Sequence, residues 1–199
     1  LGILTQETED DNLKPFGKTY IPSSYVKYLE SAGCRVTPVK MMFIGGAVNL
    51  LTSDFAKAAA VFYKLALKAY VSGDYFPLWG TCLGFQLLTA LVAGDDLLTN
   101  ATVENKALPL KLTAGKKYPF YGVQWHPEVS RFQWHPDQEF PHSVNAVRVS
   151  YLTADFFVNE ARRSSHHFSS AKEEDAALIY NYSPLYVGNI SSYMQIYFF

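Results

Sequence analysis

The chain has 199 residues, a length that suits one large α/β domain better than two. Hydrophobic residues make up 49% and charged residues 18%, so we expect a packed core and no long disorder. The formal net charge is −1 and no arginine–lysine block occurs, which argues against a nucleic-acid footprint or a polybasic membrane anchor. No apolar run reaches the roughly 18 residues of a membrane span. Residues 1–4 are strand-like, so we expect any targeting peptide to be removed or absent.

Short apolar strands and amphipathic helices alternate along the chain. Pro22 with Ser23 and Ser24 favours a helix start, and Gly33 favours its end. Apolar residues at helical spacing indicate a long helix over 54–70. The alternation predicts an α/β fold with a mostly parallel sheet flanked by helices on both faces. The predicted strands are 1–6, 34–39, 41–44, 75–79 and 120–124, a polar loop spans 7–19, and further helices are 83–92 and 145–163.

Two junctions are too short for such a sheet. Parallel neighbours need a crossover of about a dozen residues or more, yet the strands predicted at 34–39 and 41–44 leave no room for one. The strand-like segment 108–110 likewise runs almost directly into 118–120. Either the two halves are joined antiparallel or stretches of the natural chain are absent. We favour absence, near 40–41 and near 115–116, within a single domain over 1–199.

A candidate nucleophile lies between an apolar strand and a helix. Gly80-Thr81-Cys82-Leu83-Gly84 has the context of a nucleophile elbow, a sharp turn that favours glycine two residues before and after the nucleophile. The turn places the Cys82 sulfur at a helix N-terminus, where the dipole and free N–H groups favour a thiolate. The alternative interpretation is a buried structural cysteine between two packing glycines.

Backbone N–H groups around this cysteine are candidates for an oxyanion site. The N–H of Leu83 would face a developing oxyanion beside the sulfur. A second donor could come from Gly45 or Gly46, since glycine lets the backbone approach a ligand closely.

A base and an orienting acid follow the strand at 120–124. Pro127 favours an extended conformation for His126. In an extended chain, residues two apart point to the same side, so Glu128 can reach the outer imidazole nitrogen. A carboxylate there would fix the tautomer and stabilise the imidazolium. We therefore predict a Cys82–His126–Glu128 triad.

The other histidines are weaker candidates. His135 occurs in a second Trp-His-Pro, but it follows polar residues rather than a strand, so we predict a loop residue. His142 lies among prolines and is expected to be exposed. His166 and His167 are predicted to end a long helix, and adjacent helical residues point apart, so they would not bind one metal. No other metal-ligand spacing occurs, and no metal site is predicted.

The compartment signals conflict. Two cysteines, Cys34 and Cys82, cannot form a disulfide framework and suggest a reducing compartment. Three glycosylation acceptors, at Asn100, Asn181 and Asn189, favour a secretory route. Ordinary surface loops remain the alternative reading of these tripeptides.

The motifs resemble a known group of enzymes. Gly80 to Gln86 (G-x-C-x-G-x-Q) and the later Trp125-His126-Pro127-Glu128 resemble class I glutamine amidotransferase-like hydrolases. Flanking segments are similar to the gamma-glutamyl hydrolase family within that group. These segments are 25–33, 74–77, 79–85, 121–128, 157–162, 166–168 and 188–192.

The resemblance implies a cysteine peptidase that hydrolyses γ-linked glutamates of folyl and antifolate polyglutamates. Cys82 would be the nucleophile, His126 the base and Glu128 the orienting acid, with no cofactor. It also implies a lysosomal and secreted glycoprotein that forms a homodimer. Members have longer segments before the glycine pair and before the Trp-His-Pro-Glu strand, the second with a further functional histidine, and where many have proline this chain has Ile44.

Two other functions use the same residues. An ammonia-releasing glutaminase domain would share the acyl-enzyme chemistry, and a catalytically silent binding module would share the fold. The sequence does not select which arginine binds a substrate carboxylate. The candidates are Arg35, Arg131, Arg148, Arg162 and Arg163.

Overall fold

The computed structural model describes residues 1–96, 98–99 and 118–199. Strands and helices alternate through most of these ranges, as the sequence predicts. The elements in chain order are β1 (Gly2–Leu4), β2 (Gln6–Glu7), β3 (Thr19–Pro22), α1 (Ser23–Glu30), β4 (Thr37–Phe43), α2 (Asp54–Val71), β5 (Leu78–Thr81), α3 (Leu83–Ala93), β6 (Phe120–Val123), α4 (Val129–Phe132), α5 (Val144–Arg162), α6 (Ala171–Ala177), β7 (Leu185–Tyr186) and β8 (Gln195–Phe198).

The central sheet has four strands in the order β1–β4–β5–β6, and every neighbouring pair is parallel. This confirms the predicted α/β class. A second, antiparallel sheet in the order β2–β3–β8–β7 was not predicted. The strand expected over 1–6 divides at Thr5 between the two sheets, because β2 leaves the parallel sheet to pair with β3.

Helices cover both faces of the central sheet. Phe43 pairs in register with Gly80, and its ring packs edge-on against Phe55 of α2, with ring centroids 6.3 Å apart. Trp79 precedes Gly80 in β5 and therefore points to the opposite face of the sheet. Its ring packs against that of Phe157 in α5, with ring centroids 5.4 Å apart. The α2 and α5 helices therefore lie on opposite sides, and fully buried aromatic and aliphatic side chains fill both layers.

The two strands predicted at 34–39 and 41–44 are one strand, β4. The prediction of two strands was wrong because the chain stays extended through residues 39–41. The pairing with β1 is broken there, since Gly2 pairs with Thr37 and the next residue, Ile3, pairs with Met42. The strand thus has an irregularity where we expected a missing crossover. The second junction, near 115–116, and the segment 108–110 lie outside the described residues.

Helix bounds follow the predictions closely for α2, α3 and α5, whereas some termini differ. No side chain caps the N-terminus of α1, although hydroxyl caps were expected, and β5 begins at Leu78 rather than at residue 75. The α5 helix ends at Arg162, so the prediction that His166 and His167 end a helix was wrong. Within the described ranges, no helix is long and apolar enough to cross a membrane.

Candidate active site

The segments that follow the four parallel strands meet at the carboxyl edge of the central sheet, where ligands bind in open α/β sheets. They carry Gln6 after β1, Gly46 after β4, Cys82 after β5 and His126 after β6. These residues line a cleft of about 380 Å³. The other lining residues are Glu7, Thr8, Glu9, Asp10, Leu13, Tyr20, Ala47, Val48, Ser191, Ser192 and Tyr193.

Cys82 has the backbone of a nucleophile elbow. Its φ and ψ are 52° and −110°, and among the described residues it alone has a positive φ without being glycine. Such a conformation is strained for a residue with a side chain, and strain of this kind clusters at functional sites. The Cys82 N–H donates to the Val123 carbonyl at 2.9 Å, which ties the elbow to β6. The α3 helix begins at the next residue, so the thiol lies at its N-terminus as predicted.

Steric crowding explains both glycines of the elbow. A side-chain carbon at Gly80 would overlap the backbone of Gly84, and one at Gly84 would overlap the carbonyl group of Phe43. The turn can therefore bring α3 close to β4 and β5 only when both positions lack a side chain. This is the packing reason for the G-x-C-x-G pattern.

His126 and Glu128 form the predicted pair. The Nδ1 of His126 lies 2.7 Å from Oε1 of Glu128, and the Glu128 side chain is only 1% exposed. The imidazole and the thiol border the same glycine, because a side-chain carbon at Gly45 would clash with His126 Cε1 and lie 3.3 Å from Cys82 Cβ. Gln124 also reaches the sulfur, with Nε2 at 3.9 Å from Sγ. The structure thus brings Cys82, His126 and Glu128 together.

Tyr25 of α1 joins this arrangement from the core side. Its hydroxyl accepts a hydrogen bond from the Gly45 N–H at 2.9 Å and lies 3.1 Å from His126 Nδ1. Burial raises the pKa of the fully buried Tyr25, and the nearby Glu128 charge raises it further, so the side chain stays a neutral phenol. Tyr25 therefore holds both the glycine turn and the imidazole in position.

The surroundings of His126 favour its protonated form. Burial by itself would lower the pKa, but the Glu128 carboxylate and hydrogen bonds to Cys82 and Glu128 outweigh it and raise the pKa from 6.5 to about 10. The imidazole therefore carries a positive charge between the sulfur and the carboxylate at neutral pH.

We expect Glu128→Gln to flatten the pH dependence of folding stability. The folded-state pKa of His126 lies above its ordinary value, so its stabilising contribution is complete below pH 6.5 and is lost as the pH rises through about 10. In Glu128→Gln, the decrease in the free energy of unfolding between pH 7 and pH 10 should be smaller than in wild type by about 2 kcal/mol. Urea denaturation at pH 7 and pH 10 measures it.

The control for that experiment is Glu139→Gln, which removes an exposed carboxylate that is not among the groups shifting the pKa of His126. The control should reproduce the wild-type difference between pH 7 and pH 10. An unchanged difference in Glu128→Gln would contradict the assigned coupling between Glu128 and His126.

The candidate oxyanion donors differ in availability. The Gly45 N–H is engaged by the Tyr25 hydroxyl. Within the described part of the chain, the N–H groups of Leu83 and Gly46 have no hydrogen-bond partner. Leu83 and Gly46 are therefore the donors that a substrate oxygen could reach.

The remaining histidines lie away from the triad. His135 lies in a loop, as predicted, and its Nε2 is 3.0 Å from the Gly188 carbonyl. His142 is half-buried and stacks on Trp134 with ring centroids 3.6 Å apart, so the expectation of an exposed ring was wrong. His166 pairs with Asp74 at 2.8 Å. In the ranges that the structure describes, no three histidine, cysteine or acidic side chains cluster as metal ligands.

Several residues of the site, in the cleft or behind it, carry no clear signal in the sequence. Tyr25 belongs to the apolar face of a helix and carries no signal of a site. Gln6 and Thr8 were assigned to a strand end and a loop. Ser191, Ser192 and Tyr193 reach the cleft because β7 and β8 bring the C-terminal segment beside β3.

Comparison with known proteins identifies the family. No family model matches the chain. A Homo sapiens protein named gamma-glutamyl hydrolase is 36% identical over an alignment that covers 100% of this chain and 89% of the relative. Its Bos taurus counterpart is 37% identical with the same coverage, and gamma-glutamyl hydrolase B of Dictyostelium discoideum is 28% identical over 100% of this chain and 82% of the relative. Since two of these relatives are more than 30% identical over the whole of this chain, the chain belongs to the gamma-glutamyl hydrolase family.

Proposed function

We propose that this chain is a cysteine peptidase that hydrolyses the γ-glutamyl bonds of folyl and antifolate poly-γ-glutamates through a thioester. Family membership makes the chain a hydrolase of γ-glutamyl bonds, the bond that the relatives' name states. The observation that carries the mechanism is the position of Cys82, which lies on a strained elbow beside a protonated His126. A cation beside the sulfur stabilises negative charge there.

In the first step, the Cys82 thiolate attacks the side-chain carbonyl carbon of a γ-glutamyl unit. The carbonyl oxygen becomes an oxyanion, which the N–H groups of Leu83 and Gly46 can stabilise. The carbon–nitrogen bond then breaks, and the leaving amine takes the proton of the His126 imidazolium. The products of this step are the free amine and a thioester on Cys82.

In the second step, neutral His126 removes a proton from a water molecule that attacks the thioester. The carbon–sulfur bond breaks, which releases the γ-carboxylic acid and restores the thiolate and the imidazolium; the acid then loses its remaining proton to solvent. Glu128 keeps Nδ1 protonated, so that Nε2 is the nitrogen that exchanges protons. Tyr25 acts as a positioning residue through Gly45 and the imidazole.

The product distinguishes this reaction from that of a glutaminase. We expect the purified chain to release free glutamate from a γ-linked polyglutamate and no ammonia from glutamine. Both products can be measured enzymatically in the same incubation. Ammonia release without glutamate release from the peptide would support the glutaminase instead.

A thiol alkylator distinguishes the enzyme from a silent binding module. We expect iodoacetamide to modify Cys82 before Cys34, because burial raises the pKa of the Cys34 thiol to about 11. A Cys82 that fails to react at neutral pH would support a module without catalysis.

We also propose that this chain lacks internal segments of its relatives, near 40–41 and near 115–116. The alignment with the human relative spans 282 positions for a chain of 199 residues, so many positions of the relative have no counterpart. The broken pairing between β1 and β4 supports the first position.

The resemblance extends the proposal to a lysosomal and secreted glycoprotein that forms a homodimer. Of the three acceptors, Asn189 is exposed and suits a glycan. Asn181 is also exposed, but its Nδ2 donates to the carbonyls of Asp175, Ala176 and Leu178 at 2.8–3.1 Å. Asn100 lies outside the described residues.

A further inference from the structure

Two polar side chains in the wall of the cleft lack a hydrogen-bond partner for one buried atom each. They are Gln6, which is 1% exposed and has no partner for Nε2, and Thr8, which is 8% exposed and has none for Oγ1. The Oε1 of Gln6 already accepts from the Tyr20 hydroxyl at 2.9 Å, which leaves the nitrogen as the unused donor. A buried donor without a partner is costly, so its presence in a native structure requires an explanation.

Both donors lie beside the reacting groups. Residues two apart in an extended chain point to the same side, and Gln6 and Thr8 line the cleft that Cys82 and His126 also line. A side-chain carbon at Gly46 would overlap the Gln6 amide, so this amide packs directly on the candidate oxyanion turn. The Gln6 amide is thus next to the candidate oxyanion turn, and Thr8 lines the same cleft.

Among the described residues, the basic side chain that lines the cleft is His126, which the proposed reaction uses for proton transfer. No lysine or arginine of the described residues lines it, so the five arginines considered in the sequence lie elsewhere. The acidic residues Glu7, Glu9 and Asp10 line it, although the Glu7 oxygens accept the N–H groups of Asp54 and Phe55 at 3.0 and 3.1 Å. Apart from His126, the side-chain donors that the described lining residues offer to a carboxylate are neutral.

We propose that Gln6 Nε2 and Thr8 Oγ1 bind the α-carboxylate of the γ-glutamyl unit whose side-chain carbonyl Cys82 attacks. This inference rests on the proposed function and identifies the residues that select its substrate. The α-carboxylate is only a few bonds from the reacting carbonyl, and hydrogen bonds to a charged group are the stronger ones. The exposed Glu9 and Asp10 would repel a second carboxylate, which favours one bound γ-glutamyl unit at this wall.

The test compares two ligands on a chain that cannot cleave them. The parent is Cys82→Ala, and the ligands are N-benzoyl-γ-glutamylglutamate and its analogue with a carboxamide in place of the first α-carboxylate. Calorimetry should show that the parent binds the carboxylate ligand about tenfold tighter or more. Adding Gln6→Leu or Thr8→Val should weaken the carboxylate ligand by about tenfold, and the carboxamide by clearly less.

Thr37→Val in the same parent is the matched control. It removes a hydroxyl that is similarly buried but bonds to the Leu1 carbonyl, away from the cleft. The control should keep the ligand preference, and near-ultraviolet circular dichroism should show that each variant is folded. Equal losses for both ligands in folded variants, or no preference in the parent, would overturn the inference. If the preference is present but the wild-type chain does not hydrolyse the carboxylate ligand, the proposed function is wrong and the binding site stands.

Discussion

Replacing Cys82 by alanine is expected to lower the rate of γ-glutamyl hydrolysis by about 10⁴-fold or more, because the thiol that attacks the carbonyl carbon from the elbow is lost. Substrate affinity should change little, since the side chain removed is small and the cleft remains. Glutamate release under saturating substrate measures the rate, and calorimetry with an uncleaved γ-glutamyl peptide measures the affinity.

Cys34→Ala is the control for the loss of a thiol. Cys34 lies away from the cleft, where its Sγ donates to the Leu29 carbonyl at 3.3 Å, so its removal should leave the hydrolysis rate within a few-fold of wild type. Turnover retained by Cys82→Ala would refute the thioester mechanism. A large loss of activity in Cys34→Ala with none in Cys82→Ala would show that Cys34, and not Cys82, is the nucleophile.

Replacing Gly84 by alanine is expected to destabilise the fold by roughly 3 kcal/mol or more and to abolish activity. The new methyl group would overlap the Phe43 carbonyl, so α3 would have to move away from β4. The elbow begins that helix, and its displacement would also move Cys82. The free energy of unfolding from urea titration measures the first effect, and glutamate release measures the second.

Gly94→Ala separates steric overlap from backbone strain. Gly94 ends α3 with φ of 77°, and no atom lies within 4 Å of its added methyl group. This variant should lose only about 1 kcal/mol, the cost of a side chain in the left-handed region, and keep its activity. Equal destabilisation by the two substitutions would contradict the packing explanation of the elbow.

Local patterns were sufficient for the long helices α2, α3 and α5, whereas the short helices α4 and α6 were not predicted. The apolar spacing that predicted a helix over 54–70 corresponds to α2 at Asp54–Val71, whose N-terminus is capped by Ser53. Such patterns work because neighbouring turns of a helix contact one another and one face is buried. The prediction of two strands over 34–44 was wrong because the pairing partner of β4, the strand β1, is distant in sequence. Without that partner, the sequence of an extended segment does not show whether it forms one strand or two.

The second sheet was not predicted for the same reason, since the pairing of β3 with β8 joins segments that are distant in sequence. Its strands β2 and β3 pair with each other near the N-terminus, while β8 and β7 come from the last fifteen residues. No local pattern links these ends, yet their pairing brings Tyr193 to the cleft. The expected hydroxyl cap of α1 failed for a related reason, since Pro22 pairs with Ile196 of β8 and holds the N-cap position, so both serines lie inside the helix.

The sequence by itself determined the elbow around Cys82 and the pairing of His126 with Glu128. The elbow follows from the need for glycines in a tight turn. His126 and Glu128 are near neighbours in the chain, but the pair forms across a turn at Pro127 and Glu128 rather than along the extended segment that we expected. Only the tertiary structure decided that Tyr25 holds the Gly45 turn, and that Gln6 and Thr8 form a wall of neutral donors. Their roles depend on which side chains meet when four parallel strands are placed side by side. That placement is set by the packing of the whole core rather than by the residues next to them in the chain.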